Sequence, residues 1–224
     1  MNISKSYDFF KPELVKERIH IIGCGSVGST IAENLARCGI TNMSLYDFDI
    51  VEPHNVNNQM FRNSDVGKLK VVALSELLAE INPDITDKLE LVKDGWKGKM
   101  LSGYIFLAVD NIEIRRKFVE QHKSNPYVKA VFDVRTGLTF AQHYAADWSN
   151  CEQVNALLDS MQFSHEEVAE ETPVSACGVT LGVVTTVRLI SALCVNNFIK
   201  FAKKEGIWKF VQIDGFTGIM DCFS

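Results

Sequence analysis

Gly23, Gly25 and Gly28 fall in the run Gly23-Cys24-Gly25-Ser26-Val27-Gly28. A short β-branched stretch, Arg18-Ile19-His20-Ile21-Ile22, precedes it, and Val27, Ile31, Leu35 and Ala36 follow at helical spacing. Strand, glycine-rich turn and helix in that order form a cradle for a phosphate. Gly23 permits the tight turn, Gly25 lets a phosphate approach the backbone, and Gly28 lets helix and strand pack closely. Ser26 opens the helix, whose free N–H groups and partial positive charge face an anion. Asp47, in Asp47-Phe48-Asp49, stands nineteen residues beyond Gly28, where a carboxylate accepts hydrogen bonds from ribose hydroxyls. Residues 50–67 are then rich in amides, among them Asn55, Asn58 and Gln59, and the cation Arg62 within them is joined just beyond by Lys68 and Lys70. These groups could fold back over a polyphosphate, since one pyrophosphate is already served by the helix terminus and a triphosphate needs more cation. A solvated, basic helix start is the plainer account of the same charges. Asp110-Asn111 closes an apolar run. Asp110 suits a helix N-cap and equally a phosphate-bound Mg²⁺, which takes one or two carboxylates plus nucleotide oxygens.

Those residues need a frame that gathers them at one edge. The patterning predicts a helix from 26 to 38 closed by Gly39, and a second strand at 43–46. A helix from about 68 to 81 follows, stopped by Asn82-Pro83, and then a short strand around 89–92. Residues 104–109 are wholly apolar, the mark of a central parallel strand covered on both faces. A helix from 112 to about 122 and a strand at 130–134 come next, and 138–145 alternates as an antiparallel continuation. A short helix near 155–161, a long buried helix from about 180 to 202, and a closing hairpin at 208–213 and 219–223 complete the chain. The fold class is α/β: a Rossmann-like, mostly parallel sheet with helices on both faces and antiparallel C-terminal strands. A carboxylate at the end of a central strand, as Asp110 is, lies in the ligand crevice of such a sheet.

A chain of 224 residues is large enough for one such domain, and its formal charge of −5 offers no basic footprint for nucleic acid. The most apolar window, 174–199, contains Arg188, Asn196 and Asn197, which suits a buried helix better than a membrane span of about 20 apolar residues. The first sixteen residues have no continuous apolar core, so no targeting segment is expected. The six cysteines form no C-x-x-C pair, so zinc-ribbon spacing is absent and a reducing cytoplasm is the expected home. Between Thr136 and Val187 there is no Lys or Arg, while Asp147, Glu152, Asp159, Glu166, Glu167, Glu170 and Glu171 all fall there. The segment reads either as a solvated loop or as a surface that receives a basic partner segment.

With these residues laid out, the chain resembles the ubiquitin-activating-enzyme-like adenylyltransferases, the ThiF/MoeB/HesA superfamily. The resemblance is strongest over 18–135 and continues in order through the last helix. The family's glycine turn, Asp-x-Asp, Asn-x-x-Arg-Gln, Asp-Ile-Gly-x-x-Lys and later Asp-Asn all have counterparts here. They stand as Gly23 to Gly28, Asp47-Phe48-Asp49, Asn55-Val56-Asn57-Asn58-Gln59, Asp65-Val66-Gly67-Lys68-Leu69-Lys70 and Asp110-Asn111. The resemblance implies one ThiF-like adenylation domain over 1–224, with a nucleotide-binding half at 18–135, an acidic crossover loop at 147–177 and a C-terminal helix and hairpin at 180–224. It implies ATP and Mg²⁺, with Asp47 at the ribose, Asn55 and Lys70 at the phosphates, and Asp110 beside the α-phosphate and the metal. It further implies a homodimer and a partner that is a small ubiquitin-like or sulfur-carrier protein ending in glycine. The partner's C-terminal carboxylate would attack the α-phosphorus and expel pyrophosphate.

The chain also departs from the pattern. Asn58 stands where the family has Arg, which removes an always-charged phosphate fork, and Arg62 is the nearby candidate to replace it. The paired zinc-binding cysteines of many relatives are missing. Cys177, before the last helix, is the candidate thioester nucleophile, and a small buried thiol is the plainer reading of it. Two other functions fit the same fold: an NAD(P)-dependent oxidoreductase, against which the 55–70 cluster argues, and an inactive scaffold subunit, favoured by Asn58 alone.

Overall fold

The computed structural model describes residues 1–163 and 182–224. Strands β1 (Ile19–Ile22), β2 (Met43–Tyr46), β3 (Glu90–Val92), β4 (Gly103–Leu107) and β5 (Val128–Thr136) pair in parallel. Strands β6 (Phe140–Asp147), β7 (Phe210–Asp214) and β8 (Ile219–Phe223) extend the sheet antiparallel. The order is β3-β2-β1-β4-β5-β6-β7-β8, so the chain winds outward in both directions from β1. The switch point lies between β1 and β4, the place where open α/β sheets bind ligands. Register brings Ile22, Tyr46 and Leu107 level, with Asp133 level with Leu107. The residues that leave β1, β2 and β4 therefore emerge side by side.

Helices α1 (Ser26–Arg37), α2 (Lys70–Ile81) and α5 (Val184–Ala202) cover one face, and α3 (Ile112–His122) and α4 (Cys151–Asp159) cover the other. Strands buried on both sides explain the unbroken apolar runs in β1 and β4. On the α1 and α5 side, Phe106 stacks on Phe132 at 5.0 Å, and Phe198 of α5 meets both edge-on. Gly39, at φ +87°, ends α1 as predicted. Its N–H reaches Ala36 O and that of Ile40 reaches Leu35 O, a paired arrangement that left-handed glycine makes possible.

Two predicted helix starts move for local reasons. Helix α2 starts at Lys70, because Val51 N–H takes Lys68 O and Gly67 sits at φ +90°, which keeps 66–69 in a turn. Helix α4 starts at Cys151, earlier than 155, because the Asn150 side chain caps it by accepting from Glu152 and Gln153 N–H. The last helix begins at Val184, and residues 180 and 181, its predicted start, lie outside the described residues.

Three histidines are buried, and burial lowers the pKa of all three, most strongly for His20 and His143. His20 sits between Tyr46 Oη and the Ser102 carbonyl, and His143 between the Asp133 carbonyl and Asn197 Nδ2. Burial lowers each to about 4 from 6.5. Below 6.5 the unfolded chain therefore binds protons that the native state refuses, so the stability these residues contribute is full above 6.5 and is lost as pH falls toward 4. The loss is about 3 kcal/mol for each histidine across that window. Urea unfolding at pH 7 and pH 5 checks this: the midpoint drops at pH 5, and His143→Gln flattens the dependence. Equal midpoints at the two pH values would contradict it.

Candidate active site

The glycine turn packs directly on the end of β4. A Cβ on Gly23, at φ +94°, would lie 2.7 Å from the Ala108 backbone, and one on Gly28 would lie 1.8 Å from Gly23 O. No other residue fits at either position. Gly25 differs: its φ is −74° and a Cβ there would meet nothing within 4 Å among the described residues. Gly25 is also the N-cap of α1 and offers no side-chain oxygen, which leaves the N–H groups of the first turn for a ligand.

Asp47 is half-buried where β2 ends. Its Oδ2 accepts the Cys24 N–H at 2.7 Å and its Oδ1 the Asp49 N–H at 2.9 Å, so the carboxylate is locked against the glycine turn. Burial raises its pKa above the ordinary value, while those two N–H groups and Lys70 hold it down. Lys70 opens α2, is buried, and places Nζ 2.7 Å from Asp49 Oδ2. Asn55 is buried in a short 3-10 turn with Oδ1 taken by the Glu52 N–H, which leaves Nδ2 as its side-chain donor. The Oε1 of Gln59 is buried with no hydrogen-bond partner among the described residues. Met60 N–H donates to Ser29 Oγ, so 58–60 lies across the first turns of α1.

At Asp110 the structure separates the two roles left open by the sequence. The cap of α3 is Asn111, whose Oδ1 accepts the Ile114 N–H, and Asp110 is exposed at the end of β4 beside the glycine turn. Its turn is held from beneath by Arg115, a residue that the sequence reading passed over. Arg115 donates to the carbonyls of Leu107, Val109 and Val134 and to Asp133, which is wholly buried. Arg135 takes the other Asp133 oxygen at 2.7 Å, bonds Ser160, and lies over the Tyr144 ring at 4.4 Å. A charge on the apolar stripe Ile112, Arg115, Phe118, Val119, His122 and a carboxylate inside the run 130–134 were the available signals.

The other cations go elsewhere. Arg62, expected to stand in for the family arginine, forks onto Glu80 of α2 at 3.0 and 2.6 Å, an exposed pair. Lys68 pairs with Asp65 and Glu76. Of the three basic residues in that stretch, Lys70 alone lies among the Asp47 and Asp49 carboxylates. The other two are paired with Glu80 and with Asp65 and Glu76. Cys24 is fully buried with its thiol pushed well up by burial, which removes it as a nucleophile. Cys177 and Glu166, Glu167, Glu170 and Glu171 of the acidic segment lie outside the described residues. Among the described residues no helix is long and apolar enough to cross a membrane, and no three His, Cys, Asp or Glu could together hold a metal.

The sequence profile of the ThiF family matches residues 8–223. The chain belongs to the ThiF family. Within this ThiF-family chain, 67 residues are 51% identical to ubiquitin-like modifier-activating enzyme 5 of Arabidopsis thaliana, a stretch that is 30% of the chain and 16% of that protein. Over 85 residues it is 41% identical to the enzyme of the same name from Drosophila simulans, 38% of the chain and 20% of the relative. These matches thus cover about a fifth or less of the relatives' length. Among solved structures, E. coli MccB crystallised with MccA superposes with a TM-score of 0.77 at 15% identity over 98% of the chain and 70% of MccB. E. coli tRNA N6-threonylcarbamoyladenosine dehydratase, TcdA, superposes at 0.64 and 17% identity, over 91% of the chain and 94% of TcdA. At such identities the likeness establishes the ThiF-type Rossmann-like fold.

Proposed function

We propose that this ThiF-family chain binds ATP at the β1–β4 switch point and transfers AMP to the C-terminal carboxylate of a small ubiquitin-like or sulfur-carrier protein. The observation that carries the reading is that the open Gly25 turn, the locked Asp47 and Asp110, which leaves the capping of α3 to Asn111, follow three adjacent strands, with buried Lys70 at the start of α2 tied to Asp49. The α1 N–H groups would receive the phosphates, and Asp47 would take the ribose hydroxyls on its remaining lone pairs. Asn55 Nδ2 and Lys70 Nζ would donate to phosphate oxygens. The partner's carboxylate oxygen would form a bond to the α-phosphorus as the α–β bridging bond breaks, with the electron pair leaving on pyrophosphate. Lys70 would stabilise the charge gathering on the α-phosphate, and fixed alignment of two anions would supply the rest.

An exposed carboxylate with no cap to serve suits Mg²⁺, which leans on nucleotide oxygens and asks the protein for one or two ligands. Asp110 would hold it, and when bound the ion neutralises phosphate charge. Assembly as a homodimer and a cytoplasmic setting belong to the same reading. Support comes from the family membership and from the relatives named as modifier-activating enzymes.

The test is Mg²⁺-dependent exchange of labelled pyrophosphate into ATP with a candidate partner ending in glycine. Exchange that appears only with the partner is the expected result. A folded protein that binds the partner and shows no exchange would favour a scaffold, and selective thermal stabilisation by NAD over ATP would favour an oxidoreductase.

A further inference from the structure

Asn58 leaves the cradle one fixed cation short of the family pattern, and Arg62 is engaged with Glu80. A different arginine reaches the same place. Arg188 projects from the second turn of α5, half-buried, and its Nη1 donates to Thr30 Oγ1 at 3.2 Å. It also lies against Met60 Sδ. Thr30 stands one turn into α1, with its hydroxyl donated to Ser26 O at 2.8 Å. The stretch before α5 touches Asn58 itself: a Cβ on Gly182 would lie 3.0 Å from Asn58 Nδ2. So α5 delivers Arg188 against Met60 and the cradle helix at once, and the stretch before it passes Asn58.

The partners of Arg188 are poor ones. A guanidinium carries five N–H donors, and here they meet one hydroxyl and a thioether, with no carboxylate among the described residues. Gln59, the residue before Met60, has its Oε1 buried and meets no donor among the described residues. A half-buried guanidinium that meets no anion among the described residues is open to one, because planar forks of this kind match phosphate oxygens.

We propose that Arg188 is the cation for the terminal, β and γ, phosphates of the bound nucleoside triphosphate, and takes the place of the arginine that Asn58 lacks. The inference rests on the ATP reading above. It predicts that the two positions are interchangeable in charge. An arginine on the amide loop or one on the last helix can serve, and losing both disarms the site.

The test uses the full chain and direct binding by calorimetry, with Mg·ATP, inorganic pyrophosphate and AMP as probes. In Arg188→Met, which keeps the apolar stem that packs α5 on α1, the Kd for Mg·ATP is expected to rise about tenfold or more. Pyrophosphate should weaken alongside it, while AMP stays within about twofold. Adding Asn58→Arg to that variant should recover most of the ATP affinity. Arg188→Lys, the milder substitution, should give an intermediate loss and serves if the Met variant does not fold. Unchanged ATP affinity in these variants, or equal weakening of ATP and AMP, would overturn the role of Arg188 and make it a packing residue. Failure of the unaltered protein to bind Mg·ATP would instead sink the nucleotide reading beneath it.

Discussion

Asp133→Asn is expected to lower the free energy of unfolding by about 3–5 kcal/mol, the largest stability loss predicted for a single isosteric change in this chain. Asp133 has no solvent exposure and divides its two oxygens between Arg115 and Arg135. Removing its charge strands two guanidinium groups, of which Arg115 has only 6% of its side chain exposed. The reverse change is cheaper. In Arg135→Met, Arg115 still neutralises Asp133, and the Arg135 side chain was already partly in contact with water, so about 1–2 kcal/mol is expected. Urea denaturation of both variants measures the asymmetry. A cost below about 1 kcal/mol for Asp133→Asn would mean that the carboxylate is not the hub of the network. Arg115 also fixes the Val109 carbonyl beside Asp110, so a folded Asp133→Asn protein should show impaired nucleotide chemistry as well.

Lys70→Met is expected to cut pyrophosphate exchange by about 10²–10³, the range for losing a preorganised charge that faces the transition state. Stability should barely move, because the partner it abandons, Asp49, is about half exposed and can be hydrated. This separation distinguishes a chemical role from a structural one. Asp49→Asn supplies the contrast: it frees Lys70 from its tether while keeping the cation, and a much smaller loss is expected. If Lys70→Met reduced exchange and melting temperature together, with Asp49→Asn as damaging, the pair would be a structural bridge and the catalytic assignment would fail.

Much of this frame was written locally. The strand, turn and helix around Gly23 to Gly28 were legible because glycine geometry and helical spacing act over a few residues, and the sheet order places Asp47 and Asp110 where strand-end carboxylates must go. Two kinds of information were not local. The fate of Arg62 and Lys68 depended on Glu80 and Glu76 of α2, helix-surface acids that become neighbours only after the loop folds back. The Arg115–Asp133–Arg135 network joins a helix and a strand around one buried oxygen pair, and nothing in either segment alone names the other. Asp110 and Asn111 make the same point at close range. Both are good N-caps by type, and only the backbone path decides that Asn111 caps and Asp110 is left over.

The placement of α5 has a consequence for how the protein is made. The hydrogen bond from Arg188 to Thr30 spans 158 residues of chain, and α5 supplies the cover for Phe106, Phe132 and the outer side of α1. On the ribosome, where domains emerge N-terminus first, the strands and the glycine turn are synthesised well before that cover. A chain ending before α5 would present an open, aromatic sheet face to solvent or to a chaperone, and closing so long a loop is slow. Docking of α5 thus covers the core and brings Arg188 to the cradle helix in one contact, so packing and site assembly share the same step.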